Sequence, residues 1–239
     1  MGGIIIILAM IIIITGIYIY LNANNQADIA NKLLPMLLIT IGFGVVGFID
    51  DFKKLVLKNT EGLKPSYKMI GLLVISVAYV VFLVKGLNIG TDIFIPIAKT
   101  YITMPVYIYI PFAIVVILAT TNAINLTDGI DGLSSSVSSL IITCLVIIGI
   151  TFNVPEVSIF GSAVIGATLG FLVFNLHPAK VFMGDTGSLL LGGVISGLAL
   201  YLKMPIILLV IAIIPVLETL SVITVSYTHL RAHETAANL

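Results

Sequence analysis

Charged residues make up only 9% of this 239-residue sequence, and those that could act on a ligand gather in three short stretches. The first, "GFIDDFKKL", sets the carboxylates of Asp50 and Asp51 side by side. Lys53 and Lys54 follow, with Lys58, Lys64 and Lys68 further along. The second, "NAINLTDGIDGLSSS", carries Asn122, Asn125, Asp128 and Asp131, with Gly129 and Gly132 after the two later acids. The third, "NLHPAKVFMGDTGSLLLG", begins at Asn175 and adds His177, Lys180, Asp185, Thr186 and Ser188. Carboxylate and amide oxygens, few in number, are what Mg²⁺ takes alongside water and substrate phosphates. Lysines meet phosphate as point charges, and glycines let backbone N–H groups approach a ligand. The combination suits chemistry at a phosphoryl group. Histidine and cysteine show no zinc-like spacing. Neither a phosphate-binding G-x-x-x-x-G-K-[ST] loop nor a G-x-S-x-G nucleophile turn occurs.

The elements that must position these groups are apolar. The chain is 59% hydrophobic, and about eight apolar runs approach membrane-spanning length: 4–21, 33–49, 69–84, 106–124, 136–152, 158–176, 188–202 and 206–225. None alternates as a barrel strand would. The expected fold is all-α, a polytopic membrane helical bundle, with a small extracytoplasmic β-hairpin within 85–105, where Gly86, Gly90, Pro96 and Pro105 punctuate "TDIFIPI". The three chemical stretches then share one membrane face. Five lysines crowd the first of these loops, which places that face in the cytoplasm by the positive-inside rule. A net charge of zero argues against a nucleic-acid partner. The single cysteine, Cys144, rules out a disulfide within the chain. The N-terminal run lacks a basic start and reads as a span rather than a cleaved signal.

Plainer readings compete for each group. Asp128-Gly129 and Asp131-Gly132 also suit turns that cap the next helix. Ser134–Ser139 suit a helix–helix contact. The lysines could serve topology alone. Glu218 is an acid inside an apolar run, costly in a membrane and a functional candidate by default. A transporter would put polar residues at mid-membrane and show internal repeats. Glu218 alone fits the former, and no repeat is visible. A structural membrane protein would have no need of the Asp-rich loops.

Taken in order, "GFIDDFKK", "NAINLTDGIDGL" and "FNLHPAKVFMGDTGSLLLG" resemble the polyprenyl-phosphate sugar-1-phosphate transferases over roughly residues 1–223. "NLTDG" with "PAKVFMGDTGS" is closer to the branch that uses UDP-N-acetylmuramoyl-pentapeptide than to the related N-acetylhexosamine-1-phosphate transferases. The resemblance implies transfer of phospho-N-acetylmuramoyl-pentapeptide from that UDP donor to undecaprenyl phosphate. The products would be lipid I, for peptidoglycan synthesis, and UMP. It also implies Mg²⁺ as cofactor and a multi-pass place in the bacterial cytoplasmic membrane with the site facing the cytoplasm. A homodimer is compatible with it. Carried over by motif, Asp50, Asp51 and Asp185 are the expected catalytic residues. Asp185, Asn125 and Asp51 are the expected metal ligands. Lys54 and Lys68 would contact phosphate, and Asp128, Gly129, Asp131, Asn175 and Phe182 would hold the donor, Phe182 as a stacking face for uracil.

The ends depart from the family pattern. "MGG" resembles the close of its "TPTMGG" motif, so the first family helix and its donor-site lysine are expected to be missing. "LETLSVI" resembles the ninth helix, but the sequence then runs into "TVSYTHLRAHETAANL". The expected organisation is one transmembrane catalytic domain over 1–225 and an unrelated, poorly ordered tail over 226–239, whose His229 and His233 are not family histidines. A chain with these ends is expected not to turn over by itself.

Overall fold

Nine α-helices and one β-hairpin make up the computed structural model, which describes residues 1–58 and 62–237, the side chains beyond residue 227 lying outside the description. Helix α1 spans Gly3–Ala23 and α2 spans Ala27–Leu55. Helix α3 spans Pro65–Val81 and continues as a π-helical turn, Phe82–Gly86. Strands β1, Asp92–Ile95, and β2, Thr100–Thr103, pair antiparallel with Asp92 opposite Thr103 and Ile95 opposite Thr100. Helices α4 (Val106–Thr127), α5 (Leu133–Thr151), α6 (Pro155–Asn175) and α7 (Gly184–Tyr201) follow. A short 3₁₀ turn, Pro205–Ile207, leads into α8 (Leu208–Ile211) and α9 (Ile213–Ala237). The expected bundle and hairpin are both present. Pro65 and Pro155 open their helices at first-turn positions where the missing N–H costs nothing.

All eight apolar runs are largely helical, yet among the described residues six helices are long and apolar enough to cross a membrane, or seven if α8 and α9 count together. The two departures from the expected count have physical causes. The run 206–225 is broken: α8 and α9 meet at 81°. Pro215 has no N–H to give the Ile211 carbonyl and its ring crowds that carbonyl, so the helix stops at Ile211 and restarts after Ala212. The run 188–202 is α7, which is too rich in Gly, Ser and Thr to stand among the six. It has no need to be greasier, because it meets protein rather than lipid. Every residue from Thr186 to Tyr201 is buried, with α2 and α4 as its chief neighbours.

Close approach demands small residues at those contacts. A Cβ on Gly192 would stand 2.5 Å from the Thr121 Cα of α4, and one on Gly47 of α2 would collide with the Asp185 carbonyl at the start of α7. The second contact lays the α2 segment that ends in Asp50-Asp51 directly against the first turn of α7.

Candidate active site

The sequence motifs sit where helices end. Asp50 and Asp51 lie in the last turns of α2, Lys68 in the first turn of α3, Asn125 in the last turn of α4, and Asp185 in the first turn of α7. Because α2, α4 and α6 finish at the same end of the bundle where α3, α5 and α7 begin, residues more than 100 positions apart become neighbours.

Asp185 is the hub. Its Oδ2 accepts hydrogen bonds from Lys68 Nζ at 2.9 Å and Lys54 Nζ at 3.2 Å. Its Oδ1 accepts one from Asn125 Nδ2 at 2.9 Å, and the same amide nitrogen lies 2.8 Å from Ser188 Oγ. Asp50 is only 2% exposed. Its Oδ2 accepts from Lys54 Nζ at 2.6 Å and lies 3.9 Å from Lys68 Nζ, while Oδ1 accepts the Leu63 N–H at 2.6 Å. Asp50 therefore ties the returning α2–α3 loop to the lysines.

Asp51 faces elsewhere. Its Oδ1 accepts the Asp185 N–H at 3.1 Å, and its Oδ2 accepts the Thr186 N–H at 3.0 Å and the Thr186 hydroxyl at 2.6 Å. Two N–H groups that a helix start leaves without intrahelical partners are thus satisfied from another helix, and a negative charge sits at the positive end of α7. Asp51 was expected among the metal ligands. The structure gives both its oxygens to α7, so that it holds the backbone from which Asp185 projects. Gly184, at φ +71°, makes this possible, since a Cβ there would come 2.6 Å from Asp51 Oδ2.

Beside this cluster is a cavity of about 240 Å³. Asp51, Asn125, Asp128 and Asp185 line it, as do the expected donor residues Gly129, Asp131, Asn175 and Phe182. Phe182 is 67% exposed, an open ring face at the cavity. Asn175 is buried and fixed at both ends of its amide, accepting from Ser135 Oγ at 2.7 Å and donating to the Val181 carbonyl at 3.0 Å. Asp131 Oδ2 accepts the Ala179 N–H at 3.0 Å and lies 3.2 Å from His177 Nδ1. Burial pushes the Asp128 carboxyl up to about 7, helped by the negative charges of Asp185 and Asp51 and opposed by the Gly184 N–H. Lys54 and Lys68 do not line the cavity; they flank it through Asp185.

Thr186, Ser188, Ser135 and the Leu63 N–H complete the arrangement. Thr186 and Ser188 stood in the third motif, but a hydroxyl beside an acid gives no sign of what it will bond. Ser135 sits in a serine run that reads equally well as helix packing, and Ser134, Ser138 and Ser139 are indeed buried. Glu218 lies on α9, is not among the cavity residues, and its buried Oε2 has no hydrogen-bond partner among the described residues.

The donors suit a sparse cation site. Among the described residues no three of His, Cys, Asp and Glu converge as a ligand set. What converges is one carboxylate, Asp185, and one amide, Asn125, whose rotation about χ2 would offer its oxygen in place of its nitrogen. Mg²⁺ accepts so small a protein contribution when phosphates and water complete its shell, so the residues fit that ion.

The profile described as "Glycosyl transferase family 4" matches residues 33–203, which hold every residue of this cluster and cavity. The chain belongs to glycosyl transferase family 4. Its similarity to individual members is also high. It is 44% identical over 223 residues to the phospho-N-acetylmuramoyl-pentapeptide-transferase of Halalkalibacterium halodurans, covering 93% of this chain and 66% of the relative. The enzyme of that name from Clostridium botulinum is 48% identical over 183 residues, covering 77% and 56%. The one from Clostridium kluyveri is 45% identical over 223 residues, covering 93% and 68%. The chain thus spans between about half and two thirds of these relatives' length. Family 4 membership agrees with the resemblance carried by the three motifs, and all three motifs map to the one cluster.

Proposed function

We propose that this protein transfers phospho-N-acetylmuramoyl-pentapeptide from its UDP donor to undecaprenyl phosphate, forming lipid I and releasing UMP, at a site facing the cytoplasm of a bacterial cell. The observation that carries this reading is the convergence of Asp185, Asn125, Lys54 and Lys68 beside a polar cavity at one end of a membrane-spanning bundle. The names of the relatives support the choice of donor. A soluble nucleotide donor must reach the site from water, and a polyprenyl acceptor must reach it from the bilayer. The bundle end offers both approaches. On the lipid side, an apolar groove of about 320 Å³ between α4 and α8–α9 includes Ala123 and Ile124, the residues just before Asn125. A prenyl chain lying there would bring its phosphate to the cluster.

The roles follow from the contacts. Phe182 stacks on the uracil and Asn175, held rigid by Ser135, fixes its edge. Asp128, Gly129 and Asp131 line the space for the ribose and sugar phosphates. Asp185 and Asn125 would hold Mg²⁺, which when bound neutralises charge on the diphosphate. An oxygen of the lipid phosphate attacks the β-phosphorus of the donor, the bond to the bridging oxygen breaks, and UMP leaves. Lys54 and Lys68 stabilise the equatorial oxygens as charge develops. A phosphate monoester, with a second pKa near 6, already carries an ionised oxygen at neutral pH. That leaves little need for a base, and Asp50 and Asp51, whose oxygens are engaged by lysines and backbone, act by positioning.

The test joins this chain to the flanking segments of the Clostridium kluyveri relative and measures UMP release in detergent with undecaprenyl phosphate. UMP formation that requires both UDP-N-acetylmuramoyl-pentapeptide and the lipid phosphate is expected. Equal or faster release from UDP-N-acetylglucosamine would move the protein to the N-acetylhexosamine branch, and no release from either donor would reject transfer.

A further inference from the structure

Asp185 presents an oddity for a metal ligand: three hydrogen-bond donors already fill it. Asn125 holds Oδ1, and two ammonium groups share Oδ2 at 2.9 and 3.2 Å. A divalent cation about 2.1 Å from either oxygen of this carboxylate would sit within several ångströms of both Nζ atoms, and like charges so close repel strongly in a partly buried site. The metal and the lysines therefore compete for one carboxylate.

Asp50 offers the lysines another place. Its Oδ2 already binds Lys54 at 2.6 Å and lies 3.9 Å from Lys68, so Lys68 need close only that gap on leaving Asp185. Asp50 itself does not swing, because the Leu63 N–H holds Oδ1 at 2.6 Å. Charge counting points the same way. Two ammoniums, Lys54 and Lys68, face two carboxylates, Asp50 and Asp185. Adding a divalent cation alone turns that group positive, and adding a phosphate dianion with it returns the balance.

We propose that Lys54 and Lys68 form a releasable lock on Asp185, with Asp50 as the positioning residue that receives them, so that divalent cation and phosphate bind cooperatively and neither binds well alone. This rests on the reading of Asp185 as the metal's carboxylate. Linkage makes the coupling reciprocal: whatever phosphate does for metal affinity, metal does for phosphate affinity.

The experiment uses this chain in phosphatidylcholine nanodiscs, which carry no net anionic headgroups. Lysines are dimethylated with formaldehyde and cyanoborohydride, and labelling at Lys54 and Lys68 is read by mass spectrometry, with the exposed Lys58 and Lys64 as internal controls. Mn²⁺ binding is followed in parallel by electron paramagnetic resonance, with and without inorganic phosphate. Mg²⁺ in large excess, enough to bind without phosphate, is expected to raise Lys68 labelling several-fold while Lys64 is unchanged, and phosphate added on top to protect it again. D185N should label quickly without Mg²⁺ and ignore it. Phosphate should tighten Mn²⁺ several-fold in the parent and less in the K54M/K68M double variant. If Mn²⁺ binding depends on Asp185 but Lys68 labelling ignores Mg²⁺, the lock is wrong and the metal site stands. If Mn²⁺ binding is the same in D185N, both fall.

Discussion

The two ends of the bundle both set acids beside lysines, yet they are built differently. At the end opposite the cluster, Glu156 accepts the Tyr201 hydroxyl at 2.8 Å and lies 3.3 Å from Lys32, which also pairs with Asp28 at 2.8 Å. Nearby, Asp92 of the hairpin meets Lys203 at 3.1 Å and the Thr103 hydroxyl at 2.7 Å. Glu156 and Asp92 each have one ammonium and one hydroxyl, and the pairs clamp α6 to α7 and the hairpin to the turn after α7. At the other end, lysines from α2 and α3 are shared between acids on α2 and α7, and an amide from α4 joins them. A buried charge by itself marks a clamp as readily as a site. What separates the two is that one carboxylate, Asp185, gathers two ammoniums and an amide from three other helices; a neighbouring cavity does not, because Asp92 and Lys203 also line one, of about 330 Å³.

The largest effect that would sharpen this contrast is at Asp185. In the chain joined to the Clostridium kluyveri flanking segments, Asp185→Asn should cut UMP release by about 100-fold or more while the protein still inserts and purifies as a monodisperse species. Mg²⁺-dependent turnover near the parental rate would remove Asp185 from the metal site. Next is Asp51→Ala, which strips the cap from α7 and should cost about 2 kcal/mol of stability, seen as a lower melting temperature, along with activity. A variant with the parental melting temperature would contradict the capping role.

Asp128 predicts a pH dependence. Its carboxyl ionises near 3.8 when unfolded and near 7 when folded, so folding favours the protonated form. The stability this gives is full below about pH 4 and is lost as pH rises through 7. Thermal melts in EDTA should therefore show the parent losing stability between about pH 4 and 7 relative to Asp128→Asn. Parallel curves would show that Asp128 is not held protonated. The smallest effect belongs to the opposite end. The Thr103 hydroxyl and then Lys203 hold the Asp92 carboxyl below its usual range. The pair is partly exposed, so Asp92→Asn should cost under about 1 kcal/mol and leave the transfer rate unchanged. A large loss of rate would mean that the two ends are coupled.

Much of this was legible in the sequence because charge is rare in an apolar chain, so each acid stands out. The motif residues Asp50, Asn125, Asp128 and Asp185 do converge, and the hairpin falls inside 85–105. What hydropathy cannot register is which neighbour a helix meets. It reports fitness for lipid, so α7, enclosed by protein, looked like one span among eight rather than the central one. Helix α2 begins at Ala27, before its apolar run, because Asp28, Asn31 and Lys32 are helical without being greasy. Asp50 and Asp51 are adjacent in sequence and look equivalent. On a helix, adjacent residues point about 100° apart, so one faces the lysines and the other faces α7.

The central claim, that the chemistry belongs to one end and is centred on Asp185, is tested most directly by locating the ion. Crystals of the protein soaked in Mn²⁺ with the UDP donor, measured for anomalous scattering, should show one strong peak about 2.1 Å from an Asp185 carboxylate oxygen and within ligand reach of Asn125. A principal peak between Asp50 and Asp51, or at Glu156 or Asp92 at the opposite end, would contradict the account.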